Sequence, residues 1–208
     1  MKILELKPLS IMDTNSYIVC TDSKNAVLID APDNADYIIS QLSYNELTLK
    51  KVLLTHGHFD HIGAVYDLAE KTGCEVYIHS GDINKLYDAD LSLASNHIES
   101  PFKPYKDAIA IEDGDIITQD EIKFEVVSTP GHSSGSVCYI CGEVMFSGDT
   151  LFYRSIGRTD LIDSSTTAMI KSLKRLKEID FDFTVYAGHG IPTSLFDEKI
   201  FNPYLGRL

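Results

Sequence analysis

The chain predicts an α+β fold in which two β-sheets pack together with helices outside them, and three features of its hydrophobic pattern predict it. Short apolar runs rich in β-formers, "ILEL", "SYIVC" and "AVLID", open the chain in close succession. A second close-set group with antiparallel character, "IKFEVVS", "VCYI" and "EVMFSG", opens the other half. Stretches of helical spacing follow each group, and a last strand closes the order.

Taken in turn, residues 33–47, "DNADYIISQLSYNEL", space Tyr37, Ile38, Gln41, Leu42 and Leu47 as a helix covering a sheet. "KVLLT" is compact and apolar and suits a strand buried on both faces. "HIGAVYDLAEKTG" has helical spacing and ends on Gly73, a stop signal, after which "CEVYIH" returns to strand. "STTAMIKSLKRLKEID" predicts a helix with Ser or Thr near its start and Ile170, Leu173, Leu176 and Ile179 on one face. "FTVYAG" closes as a strand. Residues 82–107 are the least regular stretch, contain Pro101 and Pro104, and read as a short helix plus a surface lid. With no repeat and no linker, residues 1–208 are expected to form one domain.

A chain of 208 residues can bury a substantial core. Its net charge of -13 excludes nucleic acid as an expected partner, because phosphate backbones need clustered Lys and Arg. The opening "MKILELKPLS" turns polar at once and no window approaches about eighteen apolar residues, so neither a secretion leader nor a membrane partner is expected and the cytoplasm is the expected address. Cys20, Cys74, Cys138 and Cys141 fit free thiols in a reducing compartment. The C-x-x-C spacing of "CYIC" lacks the second pair that a structural zinc knuckle needs, so Cys138 is expected in a strand and Cys141 at a turn.

The chemistry concentrates in "LLTHGHFDHIGA". His56 and His58 alternate, face one way on an extended loop and suit one metal ion. Asp60 and His61 come where the chain turns into a helix, and project to another side toward a second ion. Two or three ligands per ion are too few, and three further strand ends supply more. "VVSTPGHSSGSV" presents His132, "VMFSGDTLF" presents Asp149 after Gly148, and "TVYAGHGIP" presents His189 between glycines. Loop composition explains any one of these, but not three repetitions of strand, glycine and ligand-type side chain. His79 and His97 lack that setting and read as surface or structural residues.

"THGHFDH", "PGHSSGS", "SGDTLF" and "AGHG", in that order along nearly the whole chain, resemble the metallo-β-lactamase superfamily. The resemblance implies a four-layer αββα sandwich of two mixed sheets with a binuclear metal site at one edge. It implies that His56, His58 and His132 hold the first ion, that Asp60, His61 and His189 hold the second, and that Asp149 bridges both. Two divalent ions are implied, Zn2+ before Fe or Mn. Asp30 in "VLIDAP" matches the aspartate that supports the ligand loop from behind.

Within the superfamily, Asp149 stands where β-lactamases of the main zinc type carry cysteine, and His58 where the flavodiiron proteins carry glutamate. "GRTD" in "DTLFYRSIGRTDL" resembles both the glyoxalase II-like hydrolases and the persulfide dioxygenases, while "SIGRTDL" and the ending "GHGIPTSLFDEKIFNPYL" are closer to the short, single-domain glyoxalase II-like group. After His189 the chain is expected to lack the helical domain that carries much of true glyoxalase II's glutathione-binding surface. The resemblance therefore implies a thioesterase for small S-acylglutathione-type substrates, in which Asp60 and Asp149 serve catalysis as ligands and water acidified by two ions attacks the carbonyl. Arg158 either grips a substrate carboxylate or pairs with Asp160 or Asp163; Tyr153 either lines the substrate groove or packs on the sheet. Three alternatives share the ligand set: a dioxygenase with one iron on His56, His132 and Asp149, a lactone or phosphodiester hydrolase, and a metal-bearing binding module.

Overall fold

The computed structural model describes residues 1–6, 12–98 and 101–208. Residues 7–11, of which 7–10 belong to the opening read as turning polar, and residues 99–100 of the irregular stretch lie outside it. Strands β1 (Lys2–Leu6), β2 (Ser16–Cys20) and β3 (Asn25–Ile29) form an antiparallel meander. Helix α1 (Ala35–Tyr44) crosses to β4 (Thr48–Leu53), which runs parallel to β3. Helices α2 (Phe59–Ile62) and α3 (Val65–Thr72) then lead to β5 (Glu75–His79), and β6 (Ile109–Ile111) completes a six-stranded mixed sheet in sequence order.

The second sheet begins with the antiparallel strands β7 (Ile116–Gln119), β8 (Ile122–Ser128), β9 (Val137–Cys141) and β10 (Val144–Gly148). A small hairpin of β11 (Leu151–Phe152) and β12 (Ser155–Ile156) precedes α4 (Thr166–Glu178). Strand β13 (Thr184–Ala187) then pairs parallel with β10, followed by β14 (Thr193–Ser194) and α5 (Leu195–Phe201). Parallel pairing follows helical crossovers and antiparallel pairing follows short turns, as chain reach requires.

The side-chain period of two sorts each strand between layers. In β2, Tyr17 and Val19 enter the core between the sheets, while Ile18 and Cys20 face the helices. In β3, Val27 and Ile29 point inward and Ala26 and Leu28 outward, where Ile38 and Leu42 of α1 and Leu68 of α3 cover them. Across the gap, Phe124, Val126, Tyr139 and Phe146 fill the same inter-sheet core, and Val127, Cys138 and Met145 meet Met169, Leu173 and Leu176 of α4 on the far side. Three apolar cores separate four layers, so the expected αββα sandwich is the fold. Among the described residues, no helix is long and apolar enough to cross a membrane.

Four local expectations need correction. Ile170 does not face the core: it is 40% exposed, and Met169 and Ser172 join the expected Leu173 and Leu176 in the buried stripe of α4, with Ile179 packed against it. The expected helix over 61–73 divides into α2 and α3 around Gly63, where the carbonyl of Pro32 presses so close that an added Cβ would lie 2.3 Å from its oxygen. Cys141 ends β9 rather than sitting at a turn; all four cysteines are buried free thiols. The described part of 82–107 is a brace more than a surface lid. Its 3₁₀ turns, Ser80–Leu86 and Ala94–Asn96, bury Asp82, Lys85 and Ala94, and the carbonyl of Ser92 between them accepts a hydrogen bond from the Phe59 amide at 2.9 Å.

Phe124 is fully buried between the sheets. Phe124→Ala is expected to destabilise the protein by about 3–5 kcal/mol, read as a lowered urea midpoint; a loss below about 1 kcal/mol would show that the inter-sheet core is not packed as described.

Candidate metal centre

The seven predicted ligand residues come from both sheets and converge on one edge. His56, His58, Asp60 and His61 follow β4, the last two within α2; His132 lies between β8 and β9; Asp149 follows β10 and His189 follows β13. Their potential ligand atoms form three overlapping groups: His56 with His58 and His132, His56 with His61 and Asp149, and Asp60 with His61 and His189, each group's atoms within 4.8 Å of one another. Nε2 of His61 lies 3.4 Å from Oδ1 of Asp149, and Nε2 of His189 lies 3.4 Å from Oδ2 of both Asp60 and Asp149.

Glycine makes this convergence possible at two places. Gly148 adopts φ 48° against Thr55, and a Cβ on Gly188 would lie 2.2 Å from Oδ1 of Asp149. Any side chain at Gly188 would enter the space between Asp149 and His61.

The outer faces of the imidazoles are held by protein groups. His61 Nδ1 lies 2.8 Å from Asp30 Oδ2, and Asp30 also accepts from the Thr55 amide at 2.7 Å and the Thr55 hydroxyl at 2.8 Å. His132 Nδ1 donates to the Arg158 carbonyl at 3.0 Å. These contacts fix the tautomers that leave Nε2 facing inward. The inward atoms His56 Nε2, His61 Nε2 and Asp149 Oδ1 are buried with no hydrogen-bond partner, a costly arrangement unless a cation satisfies them. Imidazole and carboxylate donors of this kind fit zinc, iron or manganese.

Charge follows from the same geometry. Burial would lower His61, yet Asp30, Asp60 and Asp149 hold it well above the ordinary histidine value. His189 is raised to about 9, with Asp149 and Asp60 overcoming burial. His56 is lowered well below its ordinary value by burial and by the facing His61, His58 and His132. Burial would raise both carboxyls, but His61 and His189 pull Asp60 down to about 2 and hold Asp149 well below the carboxylate range.

The two proposed substrate contacts differ in setting. Arg158 forms a bidentate pair with Asp160 at 2.7 and 2.9 Å on the open surface. Tyr153 is half exposed at the tip of the β11–β12 hairpin, beneath the Arg154 guanidinium. His79 and His97 stand outside the cluster, His79 near Glu112 and His97 against Phe59. Sequence reasoning missed Thr14, Asn15 and Asp82. The Thr14 hydroxyl donates to Asp60 Oδ2 at 2.9 Å. Asn15 clamps the His189 loop, its backbone amide bonding the Gly188 carbonyl and its side chain the carbonyls of Ala187 and Gly190 at 3.1 and 2.9 Å. Asp82 accepts from the Gly57 amide at 2.8 Å. No local motif marks these residues; only buried polar residues in otherwise irregular stretches hint at them.

The pattern of the metallo-beta-lactamase superfamily matches residues 11–189. The chain belongs to that superfamily. Hydroxyacylglutathione hydrolase GloC of Haemophilus influenzae is 34% identical over 209 residues, with 97% of each chain covered. Among solved structures, that of BLEG-1, a B3 metallo-beta-lactamase, superposes with a TM-score of 0.91 at 36% identity, covering 98% of this chain and 99% of the other. TTHA1623 in a di-iron-bound form superposes with a TM-score of 0.86 at 34% identity, covering 97% and 99%. Superfamily membership and these likenesses support a hydrolase whose His/Asp cluster is able to hold metal.

With His61 and His189 raised in pKa, the metal-free site carries protons at pH 7 that an incoming cation must displace. Zinc uptake is expected to release protons at pH 7, measured by titration calorimetry in buffers of different ionisation enthalpy. Release should diminish as pH rises through about 9, where His189 has already lost its proton; buffer-independent heats at pH 7 would contradict this electrostatic picture.

Proposed function

We propose that the protein is a metal-dependent thioester hydrolase acting on S-acylglutathione-type substrates. In this reading His56, His58 and His132 hold one divalent ion, Asp60, His61 and His189 hold a second, and Asp149 is shared. The observation that carries it is the trio of overlapping donor groups, in which the inward atoms His56 Nε2, His61 Nε2 and Asp149 Oδ1 are buried without partners. The 34% identity to a hydroxyacylglutathione hydrolase supports the substrate class. Zinc suits the donor set best, with iron and manganese as alternatives.

When bound, such ions acidify water and polarise a carbonyl. The chain's own residues do the rest. Asp149 stays ionised despite burial and orients the attacking water by accepting its hydrogen bond. Asp60 is steadied by the Thr14 hydroxyl. His189, 25% exposed, marks the open side by which substrate enters, with Phe152 edge-on to its ring. In this reading Tyr153, exposed at the hairpin tip next to Phe152, is the aromatic surface offered to substrate, while Arg158 reaches a substrate carboxylate only by exchanging Asp160 for it. A thiolate leaves readily, so the site needs no strong general acid.

The test is the initial rate of S-D-lactoylglutathione hydrolysis by zinc-loaded protein, with Asp60→Ala alongside. A kcat/KM above about 10⁴ M⁻¹s⁻¹ that falls by about a hundredfold or more in the variant is expected. Asp149→Ala is expected to lose both metal content and kcat. Because a B3 metallo-beta-lactamase stands at 36% identity, β-lactam turnover is measured in parallel. O₂ uptake with glutathione persulfide by iron-loaded protein tests the dioxygenase alternative, in which His56, His132 and Asp149 would hold a single iron. Negligible thioester hydrolysis beside turnover in either parallel assay would overturn the proposal.

A further inference from the structure

His58 differs from its neighbours in how its ring must be used. Its Nδ1, not its Nε2, faces the cluster, 2.9 Å from Nε2 of His132. A ring that offers the Nδ1 lone pair to a cation carries its proton on Nε2, and that proton needs an acceptor. Nε2 of His58 is buried with no hydrogen-bond partner, and so is Oδ1 of Asp163. The two atoms are 3.9 Å apart, and each is the other's counterpart. A shift of about 1 Å, within side-chain adjustment on ligand binding, would make the bond.

The rest of Asp163 is already held. Its Oδ2 accepts from Lys85 Nζ at 2.7 Å, from the Ser134 amide at 3.1 Å and from the Ser134 hydroxyl at 3.2 Å, which leaves Oδ1 directed at His58. Lys85 is 3% exposed and makes a second ion pair with Asp82, 3.0 Å away and itself fully buried. Asp82 in turn accepts from the Gly57 amide at 2.8 Å, the Ser133 hydroxyl at 2.7 Å and the Gly135 amide at 2.8 Å. The lysine stem lies so near Gly57 that a Cβ there would meet Lys85 Cβ at 2.7 Å. One network, buried at Asp82 and Lys85 and open at Ser134, thus joins the loop carrying His58, the loop following His132, the 3₁₀ turn at Ser80–Leu86 and the segment after β12. A buried lysine between two carboxylates is expensive to desolvate and adds little stability by itself, so its use lies in fixing a geometry.

We propose that Asp163, held in place by Lys85, is the positioning residue of His58, keeping its proton on Nε2 and its Nδ1 free for a cation shared with His56 and His132. The assignment rests on the metal-binding reading above, but not on thioester chemistry. Asp30 plays the matching part for His61 with the ring nitrogens reversed, facing its Nδ1 across a contact already closed to 2.8 Å.

Asp163→Asn is the informative variant. Lys85 and the Ser134 amide both draw the amide oxygen toward themselves, which turns its NH₂ toward His58 and sets donor against donor. Cobalt(II) titration followed by its visible spectrum, with a competing chelator, is expected to show two ions bound by the wild type. In Asp163→Asn the affinity for one of the two is expected to fall about 10–100-fold. Nitrogen-15 spectra of histidine-labelled, zinc-loaded wild-type protein are expected to show His58 protonated on Nε2, a readout that needs no variant to fold. Unchanged affinity for both ions in Asp163→Asn, or His58 protonated on Nδ1, would overturn the proposal while leaving the metal site intact. A wild type that binds no cobalt or zinc would overturn the metal reading and this proposal with it.

Discussion

The ligand loop depends first on the carboxylate of Asp30, buried where β3 ends. It accepts from the backbone and hydroxyl of Thr55 at the mouth of β4 and from His61 in α2. One side chain therefore joins the two central strands of the first sheet to the helix that carries two ligand residues. Asp30 itself sits at φ 56°, in the left-handed region, a conformation an ordinary residue occupies only when its surroundings demand it. Losing the carboxylate would leave two donors unsatisfied inside the protein and free the His61 ring to rotate.

The second requirement is that the sheets stay in register with each other, because His56 to His61 come from one and His132, Asp149 and His189 from the other. Apolar packing presses the sheets together but does not set their relative position to the tolerance a coordination site needs. Directed bonds at the site edge do that. Tyr139 donates across the gap to the Leu54 carbonyl at 2.8 Å, Tyr17 to the Ala187 carbonyl at 2.7 Å, and the Val137 amide to the Thr55 carbonyl at 2.9 Å. Asn15 adds three bonds around His189. Polar cross-links are thus placed where the ligands converge, while the inter-sheet core itself is aliphatic and aromatic.

A cluster of five imidazoles and two carboxylates without a cation is an unstable electrostatic arrangement. His56 is driven neutral while His61 and His189 are driven charged, within a few ångströms of one another. Preorganising donor groups in this way costs folding energy that binding a cation would return. The buried pairs around Lys85 belong to the same design, since each holds a loop whose free movement would disperse the ligands.

By itself the sequence determined the strands rich in β-formers, the helices that follow them, and the His and Asp residues that gather at strand ends, because those signals are local and repeat. "IKFEVVS" matches β8 residue for residue. The short strands β6, β7, β11, β12 and β14 escaped, since two to four residues carry almost no period and exist only through their partners. On α4 the expected face holds at Leu173, Leu176 and Ile179, but Met169 enters the core in place of Ile170, because the two are equally apolar and only the facing sheet chooses between them. Tertiary structure alone decided that 82–97 braces the ligand loop, and that Arg158 turns to Asp160 while Asp163 turns to Lys85. Those choices depend on which charges meet in space, and an isolated Asp or Lys in a loop carries no sign of the partner that folding will bring to it.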